Sequence, residues 1–280
     1  MQTVREYLTQ WTELRTAARK PRTIAREQEL IRLHIAPNLG NMPLRKLRGQ
    51  DVALLIASIA QGGHTRTAEQ VYVYLRTALP RRIMEHVQRP RHEAADKRIL
   101  TPEEQRQLLP YVLADPRALE LLLAWTMGLR RGEILGLRWA DVDLAARIIH
   151  VRCQRQRIAG KLQECSPKSK AGKRDLPIPG TLMPILRARA RIGGYVASCA
   201  ETGLRGALVR CCALAGVPCV TLHGLRHTMA TNATRAGVGL RVLQQELGHA
   251  DAATTARVYA HTDMHMLADA IESAWSVASP

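Results

Sequence analysis

A chain of 280 residues with 46% hydrophobic side chains is long enough for two domains and a substantial core in at least one, and too apolar to be intrinsically disordered. Its formal net charge of +17 is spread out, with 17 basic against 9 acidic side chains in residues 1–97 and 24 against 15 in the rest, which excludes a lone basic tail. Both halves are suited to face a polyanion, and nucleic acid is the default partner because basic side chains that neutralise phosphates release condensed counterions.

The chain opens with a run of helices. Val4, Tyr7, Leu8, Trp11 and Leu14 recur at helical spacing and make one apolar stripe. Thr23 is placed to cap a second helix carrying Ile24, Leu30, Ile31 and Ile35, which is expected to stop before Pro37, with a turn over Asn38-Leu39-Gly40-Asn41. A third helix is expected over about 51–60, ending at Gly62-Gly63. A fourth starts near Thr65, carries Val71, Val73, Leu75 and Leu79, and ends or kinks at Pro80. The polar stretch around Pro90 shows no apolar periodicity and reads as a linker over 91–98. It separates an N-terminal helical domain over 1–90 from a second domain over 99–280.

Thr101-Pro102-Glu103-Glu104 announces the next helix: a Thr cap, Pro at the first helical position, and Glu three residues after the cap. Helices follow to about Leu137, then strand-like segments at Ile148–Val151 and Leu176–Ile178 with a turn at Gly160. The Pro and Gly of 166–172 suggest a turn joining two short antiparallel strands. From Thr181 onward the pattern is helical again, and Met264, Leu267, Ile271 and Trp275 fall on one late stripe.

Aromatics make up only 4% and Phe is absent, so Leu, Ile, Val, Met and Ala must fill the interior around Trp11, Trp125, Trp139 and Trp275. The six cysteines lack paired C-x-x-C spacing and read as small buried hydrophobes. Neither a charged leader with an apolar run nor an apolar stretch of about 18 residues is present. The expected location is therefore the cytoplasm, with no membrane partner.

Three clusters could do chemistry. The first is TMGLRRGEILGLRWADVDL, with Arg130 and Glu133. The second is LHGLRHTMATNATRAGV, with His223, Arg226 and His227. The third is LGHADAATTARVYAH, with His249 and Tyr259. Taken singly each has a bland interpretation: an ion-paired helix arginine, a charge at a helix end, a packed tyrosine. His223 and His227 are four apart, but Gly224 stands where a zinc protease needs Glu, so no metal is expected. Together the clusters suit phosphoryl transfer. Two guanidiniums and a histidine can bind the charge that grows on a phosphodiester's non-bridging oxygens. A tyrosine hydroxyl then acts as nucleophile, and Lys168, between the strands, is suited to protonate the leaving oxygen.

These motifs resemble the tyrosine recombinase (phage integrase) family, whose order Arg, acidic residue, Lys, His-x-x-Arg, His or Trp, Tyr is filled here by Arg130, Glu133, Lys168, His223, Arg226, His249 and Tyr259. The N-terminal PRTIAREQELIRLHIAPNLGNMPLRKL resembles the family's core-binding domain, and Tyr195-Val196 stands where a strand-like segment is usual. The resemblance implies a mainly α, two-domain chain. A helical, SAM-like core-binding domain is joined to an α+β catalytic domain with a small antiparallel sheet, the fold of DNA breaking-rejoining enzymes.

It further implies that Tyr259 attacks the scissile phosphate of double-stranded DNA to give a 3′-phosphotyrosine link and a free 5′-hydroxyl, with no cofactor and no metal. Arg130, Arg226 and His249 would hold the phosphate oxygens. His223 would orient the phosphate or help move the tyrosine proton, Glu133 would support the site, and Lys168 would be the general acid. A homo-tetramer on paired sites is implied, with accessory directionality factors as further partners, and a phage-borne or prokaryotic origin at the nucleoid. A C-terminal helix over about 263–276 would dock on a neighbouring protomer. As residue 1 is not preceded by the family's arm-binding domain, the expectation is either a simple recombinase without arm sites or a shortened chain that omits them. The alternatives are a type IB topoisomerase-like enzyme and a catalytically inert DNA-binding relative.

Overall fold

The computed structural model describes residues 1–92, 98–158, 160–167, 170–197, 201–236, 238–247, 271–272 and 275. The chain divides into two units, Met1–Ala95 and Asp96–Pro280.

In the first unit Thr3 caps α1 (Val4–Leu14), its hydroxyl accepting from the Glu6 N–H while the Glu6 carboxylate accepts from Thr3 N–H. Val4, Leu8 and Thr12 form the buried face. Leu14 is exposed, so the apolar stripe ends one turn before the sequence suggests. The next helix, α2 (Pro21–Leu30), starts at Pro21 rather than after Thr23 and does not stop before Pro37. It runs through a π-helical turn (Ile31–Ile35) into α3 (Ala36–Leu39), with the Ala36 N–H bonded to the Ile31 carbonyl five residues back. The wider turn relieves the clash that a proline ring makes in a regular helix, so Pro37 is tolerated inside the run.

Helices α4 (Gly49–Gln61) and α5 (Thr65–Ala78) lie against each other, and a short α6 (Arg81–Met84) follows Pro80. The buried face of α5 is Ala68, Val71, Tyr72, Tyr74, Leu75 and Ala78; Val73 points outward. The Tyr74 ring meets Trp11 edge-on at 5.6 Å, and its hydroxyl pairs with Thr12 at 2.9 Å. The expected linker lies partly outside the described residues.

The second unit opens with α7 (Pro102–Ala114), capped by Thr101 and Glu104 as the sequence suggests. All nine residues of α8 (Ala118–Thr126) are buried, including Glu120, which pairs with Arg189 at 3.3 Å. After α9 (Arg131–Gly136) come β1 (Val142–Asp143), β2 (Ile148–Val151), β3 (Gln154–Ile158), β4 (Lys161–Cys165) and β5 (Arg174–Pro177). They form two antiparallel sheets, β1-β2-β5 and β3-β4. The turn at Gly160 closes the β3–β4 hairpin, with Ile158 opposite Lys161. The expected strands at 148–151 and 176–178 do pair antiparallel, as β2 and β5 with Leu176 opposite Ile149, and the β3–β4 hairpin is inserted between them in the chain.

Helices α10 (Met183–Arg189), α11 (Glu201–Leu214), α12 (Leu222–Arg235) and α13 (Leu240–Leu247) complete the elements. Tyr195 bridges Arg138 in antiparallel fashion and Val196 is buried, so this short segment does pair with the chain after α9. Cys211 and Cys212 are buried as expected, but Cys153 and Cys165 are half-buried and Cys219 is exposed.

Ile271 and Trp275 belong to the core of their own domain: Trp275 meets Trp125 edge-on at 5.3 Å, and Glu272 accepts from the Gly180 N–H. Two residues of the late apolar stripe, Ile271 and Trp275, thus pack within their own domain in the single chain. Met264 and Leu267 lie outside the described residues. Among the described residues no helix is long and apolar enough to cross a membrane.

Candidate active site

Two buried polar groups on α7 and α12 place the helix that carries His223 and Arg226. Asn232 donates to the Gln105 side chain at 2.8 Å, and the Thr228 hydroxyl accepts from the Leu100 N–H at 2.9 Å. All three side chains are buried, where an unmade hydrogen bond is expensive, so the register of α12 against α7 is fixed. Thr221 caps α12 by accepting from the Gly224 N–H at 2.9 Å.

Arg130 stands at the start of α9. Its backbone N–H donates to one Glu133 oxygen at 2.9 Å and its guanidinium to the other at 2.8 Å. This is the geometry of a carboxylate three residues into a helix reaching back to the cap. Glu133 is buried while a third of the Arg130 side chain remains exposed, so the pair is anchored at one end and accessible at the other. Gly128, with φ +60°, turns the chain into this position, and a Cβ there would run into Met229 and Leu247.

Arg226 is buried on α12, with its Nη1 donating to the Gly128 carbonyl and its Nη2 to the Leu247 carbonyl at 2.5 Å. Burial, and then the charge of Arg130, push its guanidinium down to about 9, so it is charged at neutral pH. His223 is exposed one turn earlier, its ring edge-on to that of His227 at 4.4 Å. Among the described residues no group of three or more His, Cys, Asp or Glu side chains could hold a metal ion.

The sequence reading missed two residues. Arg174, at the start of β5, is buried and grips both Glu133 oxygens, at 3.1 and 3.0 Å. Burial pushes the Glu133 carboxyl up, but the charge and hydrogen bonds of Arg174, with those of Arg130, outweigh it and hold the group below its ordinary value. Glu246, on α13, is fully buried with neither carboxylate oxygen hydrogen-bonded. Burial pushes it up to about 8, against the opposing charges of Arg174 and Arg226. No motif marks either residue; their signal is a charged side chain in a segment that must be buried.

Glu246 has a measurable consequence. Between the ordinary carboxyl value of 4.5 and about 8, the unfolded chain releases this proton while the folded chain keeps it, so stability falls as pH rises through that window. Glu246→Gln has no such loss. Its melting temperature is expected to match that of the natural chain near pH 4.5 and to exceed it by several degrees above about pH 8. Parallel melting curves at all pH values would show that Glu246 is ionised throughout.

Lys168, His249 and Tyr259 lie outside the described residues. Their described neighbours are held. Gln154 donates to the Ser166 carbonyl at 2.8 Å, and Arg174 to the Gly172 carbonyl at 3.2 Å, one on each side of Lys168 in the chain. Gly136 allows β3 to lie against α9, since a Cβ there would meet the Gln154 backbone at 2.7 Å.

Two family models match the chain: the phage integrase family over residues 198–266, and the phage integrase N-terminal SAM-like domain over residues 3–56. The first span includes His223, Arg226, His249 and Tyr259. A XerC-like tyrosine recombinase of Caldanaerobacter subterraneus is 29% identical over 54% of this chain and 47% of its own length, so this chain spans about half of that relative. A prophage phiRv2 integrase of Mycobacterium tuberculosis is 27% identical over 91% of this chain and 73% of its own length. Among solved structures, an integrase of transposon Tn1549 in complex with circular intermediate DNA superposes with a TM-score of 0.68 at 20% identity, covering 95% of this chain and 97% of that one. A lambda integrase dimer bound to a core site gives 0.70 at 15%, covering 94% and 100%. These likenesses establish the fold: a SAM-like helical domain and a mostly helical catalytic domain with a small antiparallel sheet. In its C-terminal part the chain is similar to the phage integrase family, in its N-terminal part to that family's SAM-like domain, and the listed relatives are tyrosine recombinases and integrases.

Proposed function

We propose that the protein is a site-specific DNA recombinase that cuts and rejoins strands through a 3′-phosphotyrosine link on Tyr259. The observation that carries most weight is the convergence of Arg226 on the Gly128 carbonyl, two residues before the Arg130–Glu133 pair. Two guanidiniums from distant segments are thereby set close enough for the charge of Arg130 to act on Arg226, with Glu133 and Glu246 opposing it. Like charges are held together at a cost, and a phosphodiester under attack is the species that relieves it. Tyr259 passes its hydroxyl proton to His223 and forms the phosphorus–oxygen bond as the 5′ oxygen leaves, Lys168 supplies the proton to that oxygen, and His249 adds a donor to the phosphate. The reverse attack by a 5′-hydroxyl of the partner duplex restores the backbone, so bond energy is conserved. Double-stranded DNA, a homo-tetramer on paired sites and a bacterial or phage cytoplasmic setting complete the proposal.

The test is to incubate the protein with DNA flanking its own gene and look for a covalent adduct on a denaturing gel. Tyr259→Phe should bind the same DNA with little change, since phosphate contacts dominate affinity, and should give no adduct. An adduct that survives the substitution moves the nucleophile elsewhere. Relaxation of supercoils without exchange between two sites would favour the topoisomerase-like alternative.

A further inference from the structure

Arg174 makes more of its donors than any motif would suggest. Its Nη1 and Nη2 take the two oxygens of Glu133 side by side, its Nη1 also reaches the Gly172 carbonyl at 3.2 Å, and its Nε donates to the Glu246 carbonyl at 2.5 Å. With the two bonds from Arg130, the Glu133 carboxylate accepts four hydrogen bonds. A planar guanidinium with five fixed donors can hold three segments at set angles, which an ammonium cannot. The three segments are the start of α9, the crossing between the sheets that contains Lys168, and the end of α13, three residues before His249.

The end of α13 is a second meeting point. The last carbonyls of a helix lack partners within it and carry partial negative charge. Here Arg174 takes the Glu246 carbonyl and Arg226 takes the next one, Leu247. Two buried cations, Arg226 and Arg174, thus tie down the same helix end.

We propose that Arg174 is a positioning residue for strand cleavage, setting Arg130 through Glu133 and fixing, through the Gly172 and Glu246 carbonyls, the segments that lead to Lys168 and His249. Arg174 itself is too deeply buried to touch DNA. The proposal rests on the recombinase reading for its effect on cleavage, but the anchoring it describes is measurable without any substrate.

The experiment uses three variants of the full chain. Arg174→Lys keeps a charge and is expected to fold, yet to cleave at least tenfold more slowly with DNA affinity within threefold. Arg174→Met leaves Glu133 buried without its main partner and should lower the melting temperature strongly. Adding Glu133→Leu removes that orphaned charge and should bring the melting temperature back, because a buried ion pair is replaceable by apolar side chains. Cleavage should stay low in the double variant, since Glu133→Leu also removes the carboxylate that accepts two hydrogen bonds from Arg130. A role confined to stability predicts instead that Arg174→Lys, once folded to the natural melting temperature, cleaves at the natural rate, and that result would overturn the proposal. Independently of activity, amide hydrogen exchange in peptides covering 128–136 and 240–247 should speed up at least tenfold in Arg174→Lys, with α10 unchanged. Exchange at the natural rate in both peptides would also overturn it. If the natural chain forms no adduct with any DNA while these peptides still respond, the recombinase reading fails and the anchoring stands.

Discussion

Lys168→Ala is expected to slow cleavage of ordinary DNA by about 10²–10⁴-fold, the range typical of a lost acid–base group. Lys168 is the residue of choice because it fills the lysine position of the resemblance, while Lys170 and Lys173 follow it in the sequence. Its job is to protonate the departing 5′ oxygen, whose conjugate acid is very weak. A substrate with sulfur at that bridging position has a leaving group that needs no proton, so it should restore most of the lost rate to Lys168→Ala. The same substrate should do little for Arg130→Ala, where what is missing is positive charge on the non-bridging oxygens. The pair of variants and the pair of substrates make a two-by-two comparison of single-turnover rates. Rescue of both variants, or of neither, would remove Lys168 from the role, and rescue of Lys170→Ala in its place would move the general acid two residues along.

What could be seen in the sequence follows from how local each signal is. The Thr101 cap of α7 is readable because all its parts lie within four residues, and the structure has both of its hydrogen bonds. Arg130 and Glu133 are readable for the same reason: three residues apart at a helix start, they can only meet. The β3–β4 hairpin was invisible beyond its turn, since its strands read QRQRI and KLQEC and bury little more than Gln154 and Ile158. A pattern of alternating apolar residues cannot mark strands whose faces are mostly polar. Pro37 misled for a different reason. The rule that proline ends a helix assumes regular geometry, and the chain departs from it through a π turn.

The site divides along the same line. Motif order assigns Arg130, Glu133, Lys168, His223, Arg226, His249 and Tyr259, and the structure brings Arg130, Glu133 and Arg226 into one neighbourhood. It says nothing in advance about Arg174 or Glu246, whose meaning depends on what lies across the interior from them. In a basic chain with 41 Lys and Arg, one more arginine carries no information until its burial is known. Buried, it must have partners, because an unpaired internal charge is costly. Those partners are the acidic residue of the first motif and the helix end before the third.

Trp275→Ala is expected to be the most destabilising single change outside the site. The ring is 6% exposed, lies in the catalytic domain's core, and meets Trp125 edge-on at 5.3 Å. Removing a buried Trp costs about 3–5 kcal/mol through lost transfer and the cavity left behind, of which roughly 0.5–1.5 kcal/mol belongs to the aromatic pair. In a domain of this size each kcal/mol lowers the melting temperature by about 2–4 °C, so a drop of roughly 6–20 °C should appear by calorimetry. Trp125 lies in α8, which packs against α12, so loosening at this point should reach the helix that carries His223 and Arg226. Cleavage by isolated protomers should therefore fall along with stability. If the helix were instead handed to a neighbouring protomer, the ring would contribute little to the isolated chain. Melting would then stay unchanged, cleavage at a single site would persist, and only the paired-site complex on native gels would be lost. Measuring melting and assembly on the same preparation decides between docking in cis and in trans, because the two arrangements put the same tryptophan in different cores.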